Sequence, residues 1–210
     1  MFYKEADFMS NGYHCIVNFG SHGHRCGYVG VPEGHPLYKQ DYSEECPLLS
    51  FDDIKEQPQG KRGIIPIVIS SLAPYEGEGT RPDLYFDVHG SITYSGFHPA
   101  CSAPDDNLWY FGFDCGHVGD KNDHETAFRY GLIDEEAHKY YIDFDKRYDT
   151  GGVVRSLGYC IEECKGLAAQ LSKIENKKSR NKLTALIHNM KRAIFHYLNR
   201  LITADIFKPR

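Results

Sequence analysis

The sequence predicts an α+β domain. A mainly antiparallel sheet is expected over about residues 13–115, covered on one side by a helix at 155–174, with an extra C-terminal amphipathic helix. Three observations carry this. Short aromatic and β-branched runs separated by Gly and Pro turns fill the first half of the chain. Apolar residues at three- and four-residue steps fill the last quarter. Strands precede helices instead of alternating with them, which is the order of an α+β domain.

In chain order, residues 13–19 read as a strand, Ser21-His22-Gly23-His24 as a turn, and residues 25–38 as a strand ended by proline and glycine. Residues 39–63 are acidic and then rich in Gln, Pro and Gly, the composition of a loop. Residues 64–72 read as a short buried strand, with Pro66 placing it at an edge or bulge. In the stretch Leu84-Tyr85-Phe86-Asp87-Val88-His89-Gly90, alternation sets Leu84, Phe86 and Val88 on one face and Asp87 and His89 on the other. Residues 91–96 continue as a strand or hairpin arm, and 97–107 as a loop that covers the site. In the next run Trp109, Phe111 and Phe113 share a face and Asp114 lies opposite. A helical turn is expected near 134–141. Leu157, Ile161, Cys164, Ala168, Leu171 and Ile174 then form one helix face, and Leu183, Ile187, Met190, Ile194 and Leu201 mark a second helix.

At 210 residues, 41% of them hydrophobic, the chain suits one domain with an appendage. The net charge of −5 conceals a division. From Lys177 onward there are nine Lys/Arg and one acid, about +8, which leaves about −13 for the remainder. The expected division is a core domain at 1–176 carrying the site and a basic helical tail at 177–210. The tail's apolar stripe predicts a homodimer formed through the C-terminal helix. No apolar run approaches the roughly 18 residues of a membrane span, and the first residues lack the pattern of a signal peptide. Seven cysteines without a CxxC pair argue against a disulfide framework or zinc knuckle, so a cytoplasmic location is expected.

The chemistry concentrates where the two central stretches end. Asp87, His89, Asp114, His117 and Asp120 are the candidate catalytic set. Asp87, His89, Asp114 and His117 have the donor types for Mn, Mg or Zn, which would activate water against a phosphoester. Without metal, the same residues offer a histidine base oriented by a carboxylate. The competing interpretation is that Asp114 and Asp120 cap turns and the histidines bond locally. Arg25, Tyr28, His35, Tyr94 and Arg155 are the candidate ligand-binding residues, through guanidinium contacts to an anion and aromatic stacking on a base. Cys115 stands beside carboxylates that disfavour its thiolate, and Cys160 and Cys164 fall on the apolar helix face. Glu163 lies off that face and is expected to be solvated.

The blocks RCGYVGVPEGHPLY (25–38), DVHGSITYSG (87–96), WYFGFDCGHVGD (109–120) and RSLGYCIEECKGLAAQL (155–171) resemble a family of small proteins of unassigned function common in bacteriophage genomes. The resemblance spans roughly residues 12–172. Those proteins carry His-Gly-Gly where this chain has His89-Gly90-Ser91, and alanine where it has Gly116. The resemblance implies a phage accessory protein of the bacterial host cytoplasm, outside the virion, that counters host defence. It implies no particular reaction. The expected activity is hydrolysis of a phosphoester or glycosidic bond in a small nucleotide. The alternatives are a non-catalytic sponge for a nucleotide signal and an inhibitor that binds a host defence protein.

Overall fold

The computed structural model describes residues 1–50, 53, 79–97, 107–148 and 151–206. In chain order the elements are β1 (Phe2–Ser10), β2 (Tyr13–Gly20), β3 (Arg25–Val31), α1 (Pro82–Tyr85), β4 (Tyr94–Gly96), β5 (Trp109–Asp114), α2 (His124–Arg129), α3 (Glu135–Arg147) and α4 (Leu157–Ile206). The five strands form one antiparallel sheet in the order β1-β2-β3-β5-β4. The class is α+β. Two compact units divide the chain, Met1–Ser172 and Lys173–Arg210.

The hairpin β1–β2 turns on Asn11 and Gly12, both at positive φ, the backbone that matches strand twist in a two-residue loop. Further along, β3 and β5 fit by complementary side-chain size. Gly27 lies opposite Phe113, Tyr28 opposite Gly112 and Gly30 opposite Tyr110. A Cβ at Gly27 would stand 2.4 Å from the Phe113 ring and 2.8 Å from Cys164 Sγ, so only glycine lets ring, strand and helix close up there. On α4, Cys160, Cys164, Leu167, Ala168 and Leu171 are all buried and share one helical face. That face covers the sheet, with Cys164 Sγ donating to Ile16 O at 4.0 Å. Each buried leucine contributes about 1.5–3 kcal/mol to this layer. The opposite side of the sheet holds a cluster of Ile16, Cys26, Tyr28 and Tyr110.

Four expectations change. The first strand of the sheet, β1, was hidden in sequence by its alternating polar residues. Its bulge between Lys4 and Ala6 lies at Glu5, whose carboxylate pairs with Arg25 at 2.7 and 2.9 Å. The stretch 84–90 is not a strand. It begins in α1 and continues extended, and its backbone bonds go to helix side chains: Gln170 holds both the N–H and C=O of Asp87, and Glu163 accepts from the His89 N–H. Phe86 and Val88 are still buried, so the alternation was real while the hydrogen-bond partner was α4. One helix, Leu157–Ile206, stands where two are expected, because residues 175–182 hold no Gly or Pro to break it. Finally, α2 starts at Asp123, whose side chain accepts from Thr126 N, and α3 starts at the like cap Asp134 and runs well past residue 141. The strand expected at 64–72 and most of the loop at 97–107 fall outside the described residues.

Candidate functional site

The turn after β5 and the N-terminal end of α4 bring four of the five candidate catalytic residues together. Asp120 is the hub. Arg155 Nε donates to its Oδ1 at 2.7 Å, while His89 Nε2 at 2.8 Å and the His117 N–H at 3.0 Å share its Oδ2. Its side chain is 3% exposed. Burial pushes its carboxyl up, but the hydrogen bonds from Arg155, His89 and His117 outweigh burial and hold it below the ordinary carboxylate value. An ionised acceptor at Nε2 assigns the ring proton of neutral His89 to that nitrogen. Nδ1 is then the acceptor for the Tyr159 hydroxyl, 3.0 Å away. The Tyr159 phenol is pushed up to about 12 by burial and by the charge of Glu163, so it is a neutral donor. Carboxylate, imidazole and phenol thus form a continuous relay braced by Arg155.

A second acid–histidine pair lies beside the first. The His117 and His89 rings have centroids 5.7 Å apart, and His117 Nε2 is 3.7 Å from Asp114 Oδ1. This pair is open where the first is closed, with His117 and Asp114 side chains 33% and 30% exposed. One edge of the His117 ring presses on Gly90, which sits at φ +67°; a Cβ there would come within 1.9 Å of the imidazole Cδ2 and Nε2. The solvent-facing edge is therefore the one carrying Nδ1. Asp114 is anchored by Thr93 Oγ1 at 2.8 Å and by the Gly116 N–H at 3.0 Å. His24, in the β2–β3 turn, lies against Gly116 and feels the charges of Asp114 and His117. Burial lowers its pKa below 6.5, which leaves it neutral at pH 7.

The other candidates separate by role. Asp87 is fastened through its backbone to Gln170. Arg25 is a structural cation: besides Glu5, it donates to Arg155 O at 2.8 Å and lies over the Phe19 ring. Tyr28 is buried against an edge of Tyr94, on the sheet face away from α4. His35 is buried, with Nδ1 accepting from Leu37 N and Nε2 3.2 Å from Leu171 O. Arg155 is the one ligand-binding candidate that reaches the cluster, and its guanidinium also lies over the Tyr159 ring. Glu163, expected in solvent, is buried. Cys115 is buried 3.6 Å from Cys160 Sγ, and this contact together with burial pushes its thiol far up; the six described cysteines are all free.

Asp87, His89, Asp114 and His117 are the residues expected to hold a metal. His89 has Asp120 and Tyr159 at its two nitrogens, and His117 Nε2 faces Gly90. Among the described residues no group of three or more His, Cys, Asp or Glu is arranged to hold a metal. No described helix is long and apolar enough to cross a membrane.

The sequence reading missed Tyr159, Glu163 and His24 as parts of this cluster. Tyr159 and Glu163 lie four residues apart on one face at the start of α4, and Arg155 stands two residues before the helix begins. That signal was available, but it points to a site only once residues 86–91 are known to lie there. The chain matches no family model, no curated protein and no solved structure.

Proposed function

We propose that this chain is a hydrolase of a small nucleotide-type ligand, acting by histidine general-base catalysis without a shared metal. The observation that carries the reading is the half-exposed Asp114–His117 pair mounted on a closed, fully bonded second pair. His117 takes a proton from water at its solvent-facing edge, and Asp114 stabilises the imidazolium that forms. The oxygen so activated attacks the phosphoester or glycosidic bond, and the leaving group departs with the proton. Neutral His24 offers a second ring to the ligand. Arg155, beside Asp120, supplies the positive charge a phosphate needs. His89, Asp120, Tyr159 and Glu163 position the turn and do not touch substrate. The resemblance to phage accessory proteins supports a nucleotide signal as ligand and the bacterial cytoplasm as the place of action.

The test is turnover of a panel of linear and cyclic nucleotides by the full chain, with and without EDTA. Turnover that resists EDTA and is lost in Asp114→Asn and His117→Asn supports the proposal. Tight binding with every nucleotide recovered intact would make the protein a sponge. Activity that vanishes with EDTA and returns with Mn would overturn the metal-free chemistry.

A further inference from the structure

The inner face of α3 is occupied. Tyr141 stacks on His124 at 4.3 Å and His138 on Phe128 at 4.4 Å, which fixes α3 against α2. No residue of α3 is buried, however, and the outer face carries Tyr140, Phe144 and Tyr148, which are 64%, 46% and 60% exposed. These aromatics recur every four residues along one stripe. They line an open groove of about 460 Å³ together with Glu136, Lys139, Asp143 and Arg147. Three adjacent aromatic rings in water are a surface that a partner would stabilise by covering.

The order of charges indicates which partner. Along the groove, acid and base alternate as Glu136, Lys139, Asp143 and Arg147. When two copies of such a helix lie antiparallel about a two-fold axis, residues of the same face whose numbers add to nearly the same total lie at nearly the same height. With that axis between residues 141 and 142, Glu136 is level with Arg147 of the second copy, and Lys139 is level with Asp143 and Tyr140 with Phe144 to within one residue, about 1.5 Å of helix rise. Symmetry makes every pair twice. Parallel pairing would set each charge against its own kind. Antiparallel pairing also brings the acidic first turn, Glu135 and Glu136, beside the basic last turn, Lys146 and Arg147, and opposes the two helix dipoles. We propose that this face of α3 pairs with α3 of a second copy of the chain, forming an isologous dimer with an aromatic centre and a rim of four ion pairs. A pair of 13-residue helices, each about 20 Å long, covers less than the roughly 1,200–2,000 Å² of stable specific interfaces, so the dimer is weak and concentration-dependent.

Sedimentation equilibrium of the full chain over a range of concentrations and ionic strengths tests this. The expected result is a reversible dimer. Glu136→Arg weakens it about tenfold, since two rim ion pairs turn into repulsions. The variant combining Glu136→Arg with Arg147→Glu restores it, because each reversed charge again meets its opposite. Tyr140→Ser with Phe144→Ser abolishes it while far-UV circular dichroism stays unchanged. Recovery in the double charge variant is an outcome that misfolding cannot imitate. A chain that remains monomeric at high concentration overturns the proposal. A dimer indifferent to Glu136→Arg also overturns it and assigns association to the apolar stripe of the C-terminal tail.

Discussion

Two aspartate–histidine pairs lie side by side in this molecule, made of the same groups and differing in surroundings. Asp120 with His89 is closed: Arg155, the His117 N–H, Tyr159 and Glu163 satisfy its polar atoms. Asp114 with His117 is half open, 3.7 Å apart and joined by a contact too long for a hydrogen bond. A buried, fully bonded pair stabilises by avoiding the cost of leaving charges unpaired, and it has nothing left with which to meet a ligand. A loose, half-exposed pair adds little stability and keeps a nitrogen available for proton transfer. The same chemical vocabulary thus produces a brace in one place and a candidate reacting group in the other.

Removing the brace has the largest expected effect. Asp120→Ala leaves Arg155 and His89 without their buried carboxylate and lowers stability by about 3–5 kcal/mol, read by urea unfolding. A loss below about 1 kcal/mol would show that the closed pair is not structural.

Gly90→Ala acts on the boundary between the pairs. The new Cβ collides with the His117 ring and demands positive φ from alanine, for about 1–3 kcal/mol. The His117 ring resonances shift strongly while those of His35, elsewhere in the fold, stay in place. An unmoved His117 would place its ring elsewhere than on Gly90.

Asp114→Asn reverses the pattern. Stability changes by less than about 1 kcal/mol, since the pair is a third exposed, while turnover falls at least a hundredfold. Equal activity in the variant would remove Asp114 from the mechanism.

The smallest effect is on pH dependence. Burial holds His24 and His124 below their ordinary value of 6.5. The unfolded chain therefore binds protons that the folded chain refuses, and stability falls as pH drops from about 7 through 6.5 towards the folded values. Asp120 contributes nothing in that window: its carboxyl is held below 3.8, so its share of stability is complete above the ordinary carboxylate range and is lost only as pH falls from about 3.8 through the lower folded value. His124→Phe keeps the stack on Tyr141 and flattens the melting-temperature profile between pH 7 and 5. An unchanged profile would mean that His124 takes up its proton equally in both states.

Local periodicity was enough for much of the fold. Residues 13–19 and 109–114 alternate with period two, and residues 157–174 repeat every three or four, because the faces of strands and helices are written in neighbouring residues. Acids and histidines at the ends of such elements were also legible as a cluster, and His89, Asp114, His117 and Asp120 do meet. Other features depend on partners distant in the chain. Alternation at 84–90 reveals which side is buried and not whether the backbone bonds to a strand or to Gln170 and Glu163, some eighty residues away. The difference between Asp114 and Asp120 is likewise invisible in the string FDCGHVGD. Burial and the reach of Arg155 and His89 are set by how α4 lies on the sheet, and that packing alone makes one carboxylate a brace and leaves the other open to a ligand.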